Sequence, residues 1–70
     1  MNAECRTLVE RVINRMANEG AWLNEAAKDA FTWGQTKDRT LGRDEVATMA
    51  SAVYAAKGLD TRGRKATTAS

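Results

Sequence analysis

Cys5-Arg6-Thr7-Leu8-Val9-Glu10-Arg11-Val12-Ile13-Asn14-Arg15-Met16 is the stretch that decides the fold. Its apolar members Cys5, Leu8, Val9, Val12, Ile13 and Met16 fall at i, i+3, i+4, i+7, i+8 and i+11, the recurrence of one face of a helix with 3.6 residues per turn. Asn2 can cap the start, since its side-chain oxygen accepts from an unpaired first-turn amide, and Gly20 can take the left-handed conformation that closes a helix. The spacing predicts a helix over residues 3–18. Its other face, with Glu4, Arg6, Glu10, Arg11, Asn14, Arg15 and Asn18, mixes signs and reads as solvated.

Downstream, residues 21–33 place Leu23, Ala27, Ala30 and Phe31 on one side and Trp22, Ala26 and Trp33 on an adjoining stripe, an apolar arc of roughly half the helix circumference. An arc that broad suits a middle helix touching two neighbours. Gly34 to Gly42 interrupts the period with polar residues and reads as a loop. The next helix is expected over 43–57. With Gly42 as its N-cap, Asp44 and Glu45 fall in its first turn and Leu41 and Val46 at the two positions of a hydrophobic staple; Thr40 is the competing cap. Its core face is Val46, Met49, Ala50, Val53 and Tyr54, and Lys57-Gly58-Leu59 supplies a glycine-based stop. Residues 60–70 carry no bulky apolar side chain and no period, and read as a flexible basic tail. The architecture expected is all-α: a small three-helix bundle over 1–59 followed by a disordered basic tail.

The composition agrees with one small folded unit: 70 residues, 43% hydrophobic, 29% charged, five Gly and no Pro. Thirteen of the apolar residues are Ala, so the core is thin, and a chain this short often completes itself by self-association or on a partner. A single Cys excludes an internal disulfide framework. No run of apolar residues is long enough for a membrane span, and charges interrupt the first twenty residues. The expectation is a cytoplasmic protein.

Chemistry is sparse. There is no His, and no pair of carboxylates sits in a recognisable catalytic setting, so no enzyme is expected. Cys5 and Arg11 have the Cys-x5-Arg spacing of a phosphatase loop, but the interval lies inside a helix. Gly58 to Lys65 reads G-x4-G-R-K, near a phosphate-binding G-x4-G-K-[ST], yet no helix follows and no Ser or Thr succeeds the lysine. Cys5 on the apolar stripe reads as a small buried hydrophobe. Neither a metal site nor a cofactor site is expected.

What remains is surface. The formal charge of +2 is concentrated in the loop and tail, as Lys37, Arg39, Arg43, Arg62, Arg64 and Lys65. Arg62-Gly63-Arg64 is similar to the Arg-Gly-Arg core of the AT-hook minor-groove motif, with Lys65 in place of the proline that follows there. These six residues form the candidate nucleic-acid surface, and such a surface would bind with marked salt dependence. The third helix turns only small or acidic residues outward, which disfavours major-groove reading by it.

A second candidate surface is apolar. Thr48, Ser51, Ala52 and Ala55 leave a smooth strip that another helix could approach closely. Trp22 and Trp33 read either as core of the middle helix or as interface anchors, a role in which Trp is enriched. These six are the candidate partner-binding residues. The function expected is a small protein-interaction module that binds and modulates, by inhibition, a regulatory protein such as a transcription regulator. Its size and bare chemistry match phage or plasmid accessory factors of the antirepressor kind. A homodimer is a further expectation, and a nucleic-acid accessory role is the alternative.

Overall fold

A computed structural model describes residues 3–65 and shows three helices: α1, Ala3–Asn18; α2, Leu23–Gln35; and α3, Arg43–Ala56. Each packs against both others, which makes a triangular bundle. The fold is all-α, as the periodicity requires. Among the described residues no helix is long and apolar enough to cross a membrane.

The core combines Cys5, Val9, Ile13 and Ala17 of α1, Ala26 and Ala30 of α2, Leu41 of the connecting loop, and Val46, Met49, Ala50 and Tyr54 of α3. No polar or charged side chain is buried among them. The stripe on α1 is thus wider than the face it fully buries: Leu8, Val12 and Met16 are only partly buried. On α2 the size order is inverted. Ala26 and Ala30 sit at the centre of the bundle, and the helix's bulky residues lie at the margins.

Both helix stops that the glycines signal are present. Gly20 and Gly58 have φ of 81° and 69°. The amide of Ala21 donates to the Met16 carbonyl at 3.0 Å, and that of Leu59 to the Tyr54 carbonyl at 2.9 Å, the outer bonds of two Schellman closures. Gly42 is the N-cap of α3, with Leu41 and Val46 buried on either side of it.

Three boundaries differ from the sequence reading, the two of α2 for tertiary reasons. Helix α2 starts at Leu23 rather than 21, because Trp22 is extended at φ −66° and ψ 149°. The Tyr54 hydroxyl, donating to the Ala21 carbonyl at 2.7 Å, holds that approach. The same helix runs on to Gln35, since Gly34 is a packing position inside it and not the start of a loop. A Cβ at Gly34 would strike the Leu41 side chain and lie 2.8 Å from Val9 Cγ2, so only glycine lets the helix seat there. Helix α3 ends at Ala56, with Lys57 as its C-cap.

The expected tail boundary also moves. Residues 60–65 close into a turn: the Asp60 carboxylate accepts from the amides of Arg62 and Arg64 at 2.9 and 3.1 Å, and Leu59 and Lys65 form an isolated antiparallel bridge. This turn rests on the start of α2, where the Leu23 amide donates to the Thr61 carbonyl at 2.7 Å and Gly63, at φ 71°, fits against the Ala21 carbonyl. It therefore supplies the acceptor that α2 lacks, for Trp22 gives no side-chain cap. Residues 66–70 of the expected tail lie outside the described residues.

Candidate protein-binding grooves

The bulky residues that the core only partly covers gather along the two flanks of α2. On the α3 side, Leu23, Ala27 and Phe31 occupy one ridge at spacings of four residues, and Ala47 faces them from α3. Lys28, Arg43, Asn24 and Thr32 complete the walls of an open groove of about 550 Å³. The Arg43 guanidinium lies 5.2 Å from the centre of the Phe31 ring, a cation–π contact that pins the aromatic at the groove mouth. On the α1 side, Leu8, Val12, Met16 and Trp33 line a second groove of about 470 Å³, bordered by Arg11 and Arg15 and, across it, Asp29.

Both tryptophans are outside the core. Trp22 is 54% and Trp33 38% exposed, which overturns the reading of either as core packing. Each carries a cation over its ring at 5.6 Å, Arg62 on Trp22 and Lys37 on Trp33. Thr48, Ser51, Ala52 and Ala55 are all exposed, on the side of α3 turned away from its buried face. Thr48 borders a shallow recess with Arg6, Asp44, Glu45 and Met49, which shares no residue with the Trp33 groove. The six expected partner-binding residues are therefore accessible, with Thr48 and Trp33 in separate recesses.

The six expected nucleic-acid contacts fall into two sets. Lys37, Arg39 and Arg43 follow the C-terminal end of α2, while Arg62, Arg64 and Lys65 belong to the turn packed on its N-terminal end. At 1.5 Å per residue those ends are about 20 Å apart. Arg62-Gly63-Arg64 is a closed turn around Asp60, not an extended strand able to lie in a minor groove. The amides of Arg64 and Arg62 hold the Asp60 carboxyl below its usual range, with lesser help from the two guanidinium charges.

Cys5 is buried, with its thiol 3.8 Å from the Gly34 carbonyl, and Arg11 belongs to the same helix, so no loop surrounds the pair. Among the described residues no group of His, Cys, Asp or Glu could hold a metal ion.

Leu23, Ala27, Phe31 and Ala47 were not foreseen as surface residues, and Lys28, expected on the solvated side of the helix, was not foreseen as part of a site. A signal was available: the apolar arc of α2 is wider than two neighbours can cover when its central positions are alanines, because small central residues draw the helices together and leave the large flanking ones at the edge. No family model matches the chain, nor does any curated protein or solved structure.

Proposed function

We propose that this chain is a small non-enzymatic interaction module of the cytoplasm that binds a regulatory protein and modulates it by occupying one of its helices. The observation that carries the reading is the α2/α3 groove, in which an apolar ridge, Leu23, Ala27 and Phe31, is only partly buried against the core, with Arg43 over the Phe31 ring. Apolar ridges flanked by Arg and aromatic groups have the composition of interface hot spots. Inhibition follows simply from such binding, since a helix held in this groove is withheld from its own contacts. An accessory factor directed at a transcription regulator is one instance of that behaviour.

A nucleic-acid role draws support from a different observation, the exposed Trp22 and Trp33 rings with Arg62 and Lys37 beside them, since aromatic faces stack bases and cations hold phosphates. The separation of the two cation sets at opposite ends of α2 weighs against it.

The test is capture of cellular proteins, after nuclease treatment, by the wild-type chain, by Ala47→Asp in the groove and by Ala52→Arg on the outer strip. The proposal expects a partner held by wild type and by Ala52→Arg but lost with Ala47→Asp. Retention on DNA at low salt, with no nuclease-resistant protein, would overturn it.

A further inference from the structure

Resting on that reading, we infer that the α2/α3 groove takes an acidic amphipathic helix of a partner protein, one whose apolar stripe is bordered on both sides by Asp or Glu. Shape and charge each contribute an argument.

The shape is that of a missing fourth helix. Leu23, Ala27 and Phe31 form a continuous i, i+4, i+8 ridge on α2, which spans about 12 Å or two helical turns. Ridges of this kind interlock with the grooves of another helix. Between the large ends, Ala27 on α2 and Ala47 on α3 line the groove with methyl groups only, so an incoming backbone can come close there. An extended strand would gain nothing comparable, because the groove walls are helices whose backbone groups are already paired internally.

The charge is of one sign. Lys28 stands on the α2 wall and Arg43 on the α3 wall, and no carboxylate lines the groove. Neither cation has an ion-pair partner among the described residues. Arg43 sits over the Phe31 ring, a placement that leaves its N–H donors free to meet a carboxylate while the ring stays covered. A helix with acids on both flanks of an apolar stripe therefore answers both walls at once.

The same charges argue against a second copy of this chain as the occupant. A two-fold interface presents the same patch twice, which would bring two Lys28 and two Arg43 side chains into one buried space with no acid between them.

The experiment titrates the full chain, labelled with 15N, with two synthetic peptides of about 18 residues, long enough to be helical in water. Both carry the same leucine stripe on an alanine background, one flanked by Glu and one by Lys. The inference expects saturable shifts of the Leu23, Ala27, Phe31, Arg43 and Ala47 amides with the Glu peptide, and affinity at least tenfold weaker for the Lys peptide at low salt. The double variant Lys28→Glu/Arg43→Glu, checked for helicity by circular dichroism, should reverse that preference; a role confined to folding would not. Equal affinity for both peptides, no shift at millimolar Glu peptide, or competition of the groove residues by a single-stranded oligonucleotide would each overturn the inference. So would a concentration-dependent dimer, by light scattering, that buries these same amides. If the Glu peptide fails while Ala47→Asp still abolishes capture of a cellular protein, the acidic helix is wrong and the protein-binding role stands; if capture fails as well, both fall.

Discussion

The Tyr54 hydroxyl of α3 donates to the carbonyl of Ala21, in the turn between α1 and α2, at 2.7 Å. Tyr54 is among the largest fully buried side chains, so this bond ties the third helix to the junction of the first two. The turn formed by residues 60–65 meets the same junction from the other side, through Thr61 and Gly63. The N-terminal end of the groove-forming helix is thus set by contacts from sequence more than thirty residues away.

Tyr54→Phe keeps the ring and removes the donor. Loss of one such bond, with the Ala21 carbonyl left short of a partner, should cost about 0.5–1.5 kcal/mol in urea denaturation. Burial also pushes the Tyr54 phenol above its ordinary pKa. The folded state therefore holds the proton more tightly than the unfolded chain, whose tyrosine titrates near pH 10, so stability is full below about pH 10 and falls as pH rises through the folded-state value. The phenylalanine variant should lack this alkaline loss, which a denaturation series between pH 8 and pH 11 would reveal.

Gly34→Ala improves intrinsic helix propensity by about 1 kcal/mol and yet should destabilise the protein. The added methyl meets Leu41 and Val9, both buried, and Val9 is β-branched with little freedom to turn aside. Overpacking costs of about 1–3 kcal/mol leave a net loss of up to about 2 kcal/mol, measurable as a lower thermal midpoint.

Gly42→Ser should act in the opposite sense. Gly42 caps α3 at φ −92° and ψ 147°, a conformation open to any residue, and offers no side-chain acceptor. A serine there adds the acceptor and restricts the unfolded chain, together worth about 0.5–1 kcal/mol. The thermal midpoint should rise by a few degrees.

Asp60→Ala removes the acceptor that closes the 60–65 turn. Exchange of the Leu23 amide, whose acceptor is the Thr61 carbonyl, should accelerate while amides in the middle of α1 keep their protection. Because the folded Asp60 pKa is depressed, the carboxylate's contribution is present above the unfolded value near 3.9 and is lost as pH falls through the folded one. In the wild type, the Arg62 and Arg64 amide resonances should therefore move together on acidification below about pH 4.

The helices were legible in the sequence because their signals are local: the stripe from Cys5 to Met16, the glycines at 20 and 58, and the Leu41–Val46 staple each act within a few residues. What escaped is tertiary. Gly34 has the look of a loop glycine, and only the approach of Leu41 and Val9 makes it a packing position. Asp60 to Lys65 looks structureless by composition, and it is ordered by polar backbone contacts that leave no hydrophobic pattern. Trp22, Ala26 and Trp33 were read as one stripe, but Trp22 precedes α2 in an extended conformation and only Ala26 is covered. The groove on the other flank was hidden because Phe31 and Leu23 have the pattern of core residues and the position of rim residues.

The central claim is that the α2/α3 groove is where this protein meets a partner, and a photo-crosslinker tests it most directly. Benzoylphenylalanine placed at Ala47 in the groove, and separately at Ala55 on the outer face of α3, would be irradiated in living cells and the adducts identified by mass after nuclease treatment. The account predicts a discrete protein adduct from position 47, mapping to an acidic amphipathic helix of the partner, and none from position 55. An adduct from position 55 alone, or crosslinks from 47 that are lost on nuclease treatment, would contradict it.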